Sequence, residues 1–162
     1  MIHWPSDLEP AVASFHVRNE LQTELAPERI WRWLVRAQRW PELYAGASHV
    51  RTPTSELAMG TRFTWRTLGV SVTTVVEELV PNERLAWRGT GVLGARGYHV
   101  WVLERRGTGA YLVTEETQRG YVPSLFRTRL KRTLLDQHQR WLEGLVWAAG
   151  LGPPDAVPAI SR

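Results

Sequence analysis

Apolar positions along this chain follow a period of two in most places and a period of about 3.6 in three, and that change of period sets out its elements. Phe15, Val17 and Leu21 alternate with His16, Arg18, Glu20, Gln22 and Glu24, which predicts a half-buried strand from Phe15 to Glu24. Pro27 and Glu28 then favour a helix start. Ile30, Trp33, Leu34 and Ala37 recur at helical spacing, with Arg29, Arg32 and Arg36 on the opposite side. Trp40-Pro41-Glu42-Leu43-Tyr44 predicts a second, shorter helix.

After Gly46 the pattern returns to short β-rich runs. Strands are predicted at Ala47–Thr52, Thr61–Leu68, Val70–Leu79, Leu85–Gly89, Tyr98–Arg105 and Tyr111–Gln118, separated by turn signals such as Pro81-Asn82 and Gly107-Thr108-Gly109. From about Pro123 to Ala149 the helical period takes over. Phe126, Leu130, Leu134, His138, Trp141, Leu142, Leu145, Val146 and Ala149 trace one side of a long helix, with Gly150 as its expected C-cap.

One strand, two short helices, a run of strands and one long helix make an α+β domain. Residues 1–14 read as a lead-in, 15–149 as the domain and 150–162 as a Pro-rich, non-helical tail. A bent antiparallel sheet closing round a long helix cannot meet it flush everywhere, so a cleft is expected between the two, the kind of place where small ligands sit. Phe63, Trp65, Leu85, Trp87, His99, Trp101 and Leu103 alternate in phase within their strands, while Leu134, His138 and Trp141 face them from the helix. These ten residues are the candidate ligand-binding wall; complete filling of the core by the same side chains is the competing reading.

Composition sharpens this in two ways. The chain has nine Trp against three Phe, and rigid indoles offer large contact areas at low entropic cost. It has no Cys, so disulfides and thiolate chemistry are excluded, which fits a reducing compartment. Charge adds little: the net value of +4 is ordinary for a domain, and the pI near 10.1 reflects arginines that never titrate. No secretory signal and no apolar run of membrane-spanning length is present, so a cytoplasmic monomer or homodimer is expected. Arg127, Arg129, Lys131 and Arg132, like Arg29, Arg32, Arg36 and Arg39, read as solvated helix faces ahead of anionic-lipid or nucleic-acid sites; no nucleic-acid partner is expected.

Local motifs in this order resemble a known family. Ala26-Pro27-Glu28-Arg29-Ile30-Trp31, Trp40-Pro41-Glu42-Leu43-Tyr44, Gly60-Thr61-Arg62-Phe63-Thr64-Trp65, the segment from Glu78 to Trp87 and Glu115-Glu116-Thr117-Gln118-Arg119-Gly120 carry the likeness. The chain resembles the START/Bet v 1-like (SRPBCC) superfamily over roughly 15–149, in particular its bacterial polyketide cyclase/dehydrase and lipid-transport branch. The resemblance implies a helix-grip fold and a cavity for a lipid, polyketide or aromatic molecule. It also implies that Glu116 points inward; the alternatives are that Glu115 does so instead, or that Arg62 or Arg66 pairs with Glu116.

Three functions follow from these readings. The first is binding of a small hydrophobic molecule. The second is a polyketide cyclase/dehydrase-type enzyme using Glu116, His99 and His138 as its acid–base set, since histidine exchanges protons near neutral pH. The third is an interaction protein with a collapsed pocket. Gly89-Thr90-Gly91-Val92-Leu93-Gly94 matches a dinucleotide fingerprint, but a strand rather than a helix is expected after it, so it is read as a hairpin loop that could cover the cavity mouth. No cofactor is expected. His3, His16, His49, His99 and His138 show no paired ligand spacing, so no metal is expected either, and no nucleophile elbow occurs.

Overall fold

The computed structural model describes residues 2–159. Strand β1 (Phe15–Thr23) is followed by helices α1 (Pro27–Leu34) and α2 (Trp40–Leu43). Six strands then run in succession: β2 (Ala47–Arg51), β3 (Arg62–Thr67), β4 (Val70–Val80), β5 (Arg84–Thr90), β6 (Arg96–Arg106) and β7 (Gly109–Arg119). Helices α3 (Tyr121–Leu125) and α4 (Arg127–Leu151) end the fold. All seven strands form one antiparallel sheet in the order β1-β7-β6-β5-β4-β3-β2, so only β1 departs from a simple meander. The sheet curves round α4, giving the α+β helix-grip arrangement.

Boundaries move where tertiary contacts compete with the periodic pattern. The helical pattern through Ala37 is cut at Leu34, because the chain turns away at Arg36 (ψ 73°) and Ala37–Arg39 forms a separate turn. That reversal lets the Trp40 indole donate to the Leu34 carbonyl at 3.0 Å, which satisfies a helix-end acceptor in a buried place. The long C-terminal helix is broken at Phe126 (φ −106°, ψ 22°), leaving α3 as a separate turn of helix. It also runs past the expected cap: Gly150 stays helical, and Gly152 ends the helix at φ 139°, a conformation open to glycine.

Both ends pack onto the domain. In the lead-in, Leu8 is buried against Ala86, Tyr98 and Val100 on the convex sheet face, and Thr117 Oγ1 donates to the Leu8 carbonyl at 2.7 Å. Asp7 meets Arg88 and Arg96 at 3.2 and 3.0 Å. In the tail, the Trp33 indole donates to the Gly152 carbonyl at 2.9 Å and Arg36 pairs with Asp155. Among the described residues, no helix is long and apolar enough to cross a membrane.

α4 crosses the concave face and presses on α2 at one point. A Cβ at Gly144 would lie 2.0 Å from the Leu43 carbonyl oxygen, so the two backbones touch there and nothing larger than hydrogen fits. Gly150, on the same helix, faces open space. Gly144→Ala is therefore expected to destabilise the protein by about 1–3 kcal/mol, as overpacking does. Gly150→Ala is expected to stabilise it by about 0.4–1 kcal/mol, through the unfolded chain. Urea unfolding of the two variants beside the parent measures both shifts.

Candidate ligand cavity

Strand register brings the candidate polar groups together. On β6, His99 lies directly opposite Trp87 of β5 and Glu116 of β7, and all three belong to the concave face. α4 adds His138 from above, its ring 4.6 Å from that of His99, and Trp141 one turn further on. Period-two alternation explains the neighbouring acid: Glu115 lands on the convex side, where it holds His16 at 2.7 Å and Arg18 at 2.8 Å. Arg66 is also elsewhere, donating to the Gly69 carbonyl.

Between sheet and helix lies a cavity of about 190 Å³. Trp65, Trp87, His99, Leu134, His138 and Trp141, all expected on the wall, line it. Phe63, Leu85, Trp101 and Leu103, expected there too, do not: they are buried in the packed core. Trp40 accounts for the difference. Its ring centroid lies 5.7 Å from Phe63, 5.4 Å from Trp65, 5.3 Å from Trp87 and 5.0 Å from Trp141, so it fills the end of the grip nearest α2. What remains open is the other end.

Several wall residues lie outside the set expected from the sequence. Tyr44 stacks on Trp141 at 4.6 Å and 6°, and Val72 and Thr74 belong to the strand beside Trp65. The alternation Val70, Val72, Thr74 along β4 was the available sign. Thr74 accepts the Trp65 indole N–H at 3.0 Å, which fixes that ring on the wall. The glycine run at 89–94 leads from strand to strand, with Leu93 (φ 51°) and Gly94 (φ 71°) in the turn, so no helix N-terminus is available for a pyrophosphate. Gly91 and Val92 of this turn, with Val122 and Pro123 of α3, also line the cavity, and Val92 is exposed to solvent.

At the closed end sits a polar cluster. Glu116 Oε2 lies 3.1 Å from His138 Nε2 and 3.4 Å from His99 Nδ1, while Gln118 donates to Glu116 Oε1 at 2.6 Å. His99 Nε2 is 2.6 Å from Thr114 Oγ1. The arrangement has a consistent proton assignment: His99 carries hydrogen on Nδ1 towards the carboxylate, and the Thr114 hydroxyl donates to Nε2. Burial, then the neighbouring His138, pushes the His99 pKa down to about 3, so this ring is neutral. Burial would raise the pKa of Glu116, but the histidines and Gln118 outweigh it and hold the carboxyl below its ordinary range. Buried His138 Nδ1 and Trp141 Nε1 have no hydrogen-bond partner among the described residues.

The cluster has a further property that sequence spacing did not reveal. His99, Glu116 and His138 each direct one donor atom to a common region, all within 4.8 Å of one another, and together they could hold a metal ion. They are separated by whole elements in sequence, so no ligand spacing announces them.

No family model and no curated protein matches the sequence. Solved structures do match. The hypothetical protein jhp0584 from Helicobacter pylori superposes with a TM-score of 0.85 over 92% of this chain and 96% of its own, at 27% identity. Ara h 8.0201 superposes with a TM-score of 0.63 over 85% of this chain and 98% of its own, at 11% identity. DynU16, from the dynemicin biosynthetic locus, gives 0.63 over 86% of this chain but 48% of its own, at 18% identity. At the last two identities the likeness is one of fold.

Neutral His99 ties stability to pH. Unfolded histidine titrates near 6.5 and folded His99 near 3, so between those values the unfolded chain binds the extra proton. Stability is therefore expected to fall as pH drops from about 6.5 towards 3, with His99 contributing a slope of at most about 1.4 kcal/mol per pH unit. Urea unfolding of chelator-treated protein at several pH values should show this slope. His99→Gln, which cannot titrate, should flatten it; an unchanged profile would mean that His99 is not held neutral.

Proposed function

This chain has the fold of the Bet v 1-like superfamily, and from that premise we propose that it binds a small, ring-bearing hydrophobic molecule between the sheet and α4. The observation that carries this reading is a cavity of about 190 Å³ with three indoles on its wall and a polar cluster at its closed end. A dry cavity of about 150 Å³ is already enough to take a benzene ring. One or two fused rings match the present void, and any tail would leave through the mouth beside Val92 and Val122. The ring faces of Trp65, Trp87 and Trp141 favour a flat, aromatic guest.

A second reading has its own support. Glu116 within 3.1 Å of His138 forms a carboxylate–imidazole pair at the cavity end, which suits acid–base chemistry on a bound substrate. The origin of DynU16 in a biosynthetic locus is in keeping with a cyclase/dehydrase-type activity. Binding comes first in either case, since the enzyme needs the same occupied cavity. An interaction protein with a filled interior is the least favoured, because the indoles leave one end of the grip open.

Tryptophan fluorescence tests the binding reading. A naphthol probe is expected to quench emission saturably, and Trp65→Ala or Trp87→Ala should weaken probe binding by about tenfold or more, the loss of roughly 1.4 kcal/mol of contact. Trp101→Phe should leave it intact, since Trp101 packs behind the wall. Native mass spectrometry of freshly purified protein should show an added small mass. Quenching that is unsaturable, or equal in all three variants, would sink the proposal.

A further inference from the structure

We propose that His99, Glu116 and His138 form a binding site for one divalent transition-metal ion, whose remaining coordination positions open into the cavity. Three elements, β6, β7 and α4, each supply one ligand: two imidazole nitrogens and a carboxylate oxygen. The donor separations suit a shared ion. Ligand atoms at about 2.0–2.1 Å from a metal stand roughly 3–3.5 Å apart at tetrahedral or octahedral angles; Glu116 Oε2 is 3.1 Å from His138 Nε2 and 3.4 Å from His99 Nδ1. The two nitrogens lie within 4.8 Å of one another, so at most about 1.3–1.8 Å of side-chain movement brings them to that spacing.

Two of the three ligands are held from behind, while the far nitrogen of His138 has no partner among the described residues. Ligating side chains are usually held by hydrogen bonds on the atom that does not face the metal. Thr114 Oγ1 holds the far nitrogen of His99 at 2.6 Å, and Gln118 holds the far oxygen of Glu116 at 2.6 Å. Rings of Trp87 and Trp101 lie 4.9 and 5.4 Å from His99, so the site is dry on one side and open to the cavity on the other. Without an ion, His138 Nε2 stands 3.1 Å from Glu116 Oε2, but His99 Nδ1 stands 3.4 Å from it, long for a hydrogen bond. Buried polar groups in such numbers normally find full partners.

Donor chemistry selects the ion class. Two imidazoles and one carboxylate suit zinc or ferrous iron, whereas magnesium and calcium prefer oxygen throughout. Three protein ligands leave room for a water or a guest atom. Ion binding stands on this cluster alone. A further step rests on the cavity reading of the preceding section: a ring-bearing guest with a phenolate, carboxylate or carbonyl oxygen would complete the coordination.

Metal titration decides the matter. Protein stripped with a chelator is expected to bind one Co²⁺ per chain with the visible bands of a four- or five-coordinate ion, and to release it to Zn²⁺, at micromolar or lower concentrations. Glu116→Gln and His138→Gln should each weaken binding by more than Thr114→Val, for which a loss of about 10–100-fold is expected. Replacing surface His3 and His49 by Gln should change nothing. Should the buried variants fail to fold, X-ray absorption on the zinc-loaded parent reads the ligands directly, and two imidazoles are expected. Absence of a stoichiometric ion, binding that survives both buried substitutions, or a ligand count without two imidazoles overturns the site. Naphthol quenching of the chelated protein reports on the cavity separately: quenching without ion binding overturns the ion site alone, and ion binding without quenching overturns the cavity reading alone.

Discussion

The indole of Trp141 is where the helix and the sheet meet. Its ring lies 4.6 Å from Tyr44, 5.0 Å from Trp40, 5.1 Å from Trp101, 5.6 Å from His99, 5.8 Å from Trp65 and 6.2 Å from Trp87. Burying one indole of roughly 200 Å² contributes on the order of 5 kcal/mol before entropy. That exceeds the roughly 1–3 kcal/mol cost of leaving an indole N–H without a partner, which explains how the unpaired N–H groups of Trp101 and Trp141 persist in the core. Gly144 lies three residues further along α4 and seats the helix on α2 by backbone contact, so the position of Trp141 is fixed from two directions.

The same ring divides the interior. On the α2 side, Trp40 and Phe63 complete a solid aromatic core. On the other side no equivalent of Trp40 enters, and Gly89 of β5 and Gly97 of β6 line the cavity without a side chain to fill it. The polar cluster occurs at this boundary. A carboxylate and two histidines buried together are expensive unless they satisfy one another or a ligand. Their position at the end of a void, instead of inside packed hydrocarbon, gives them access to a guest or an ion that could complete their partners. Cavity and cluster thus have one structural cause, the place where α4 stops meeting the sheet flush.

Much of this was legible along the chain. Period-two and period-3.6 patterns located every strand and the long helix, and in-phase alternation placed Trp65, Trp87 and His99 on one face. What the pattern could not say was which members of that face remain uncovered. Phe63, Leu85, Trp101 and Leu103 share the phase of the wall residues but lie under Trp40 or deeper in the core. The break at Phe126 and the early end of α1 were equally hidden, because each depends on a contact from a distant segment.

Alternation and helical period are local consequences of backbone geometry, so the sequence by itself determined the elements, their inward faces and the convergence of sheet and helix. Depth along the grip is not local: it is set by where a large ring from α2 enters and by how closely α4 can approach. Only the tertiary structure decided which indoles face a void and that His99, Glu116 and His138, on three separate elements, share one point in space. Such convergence is set by strand register and helix placement, and neither leaves a spacing in the chain.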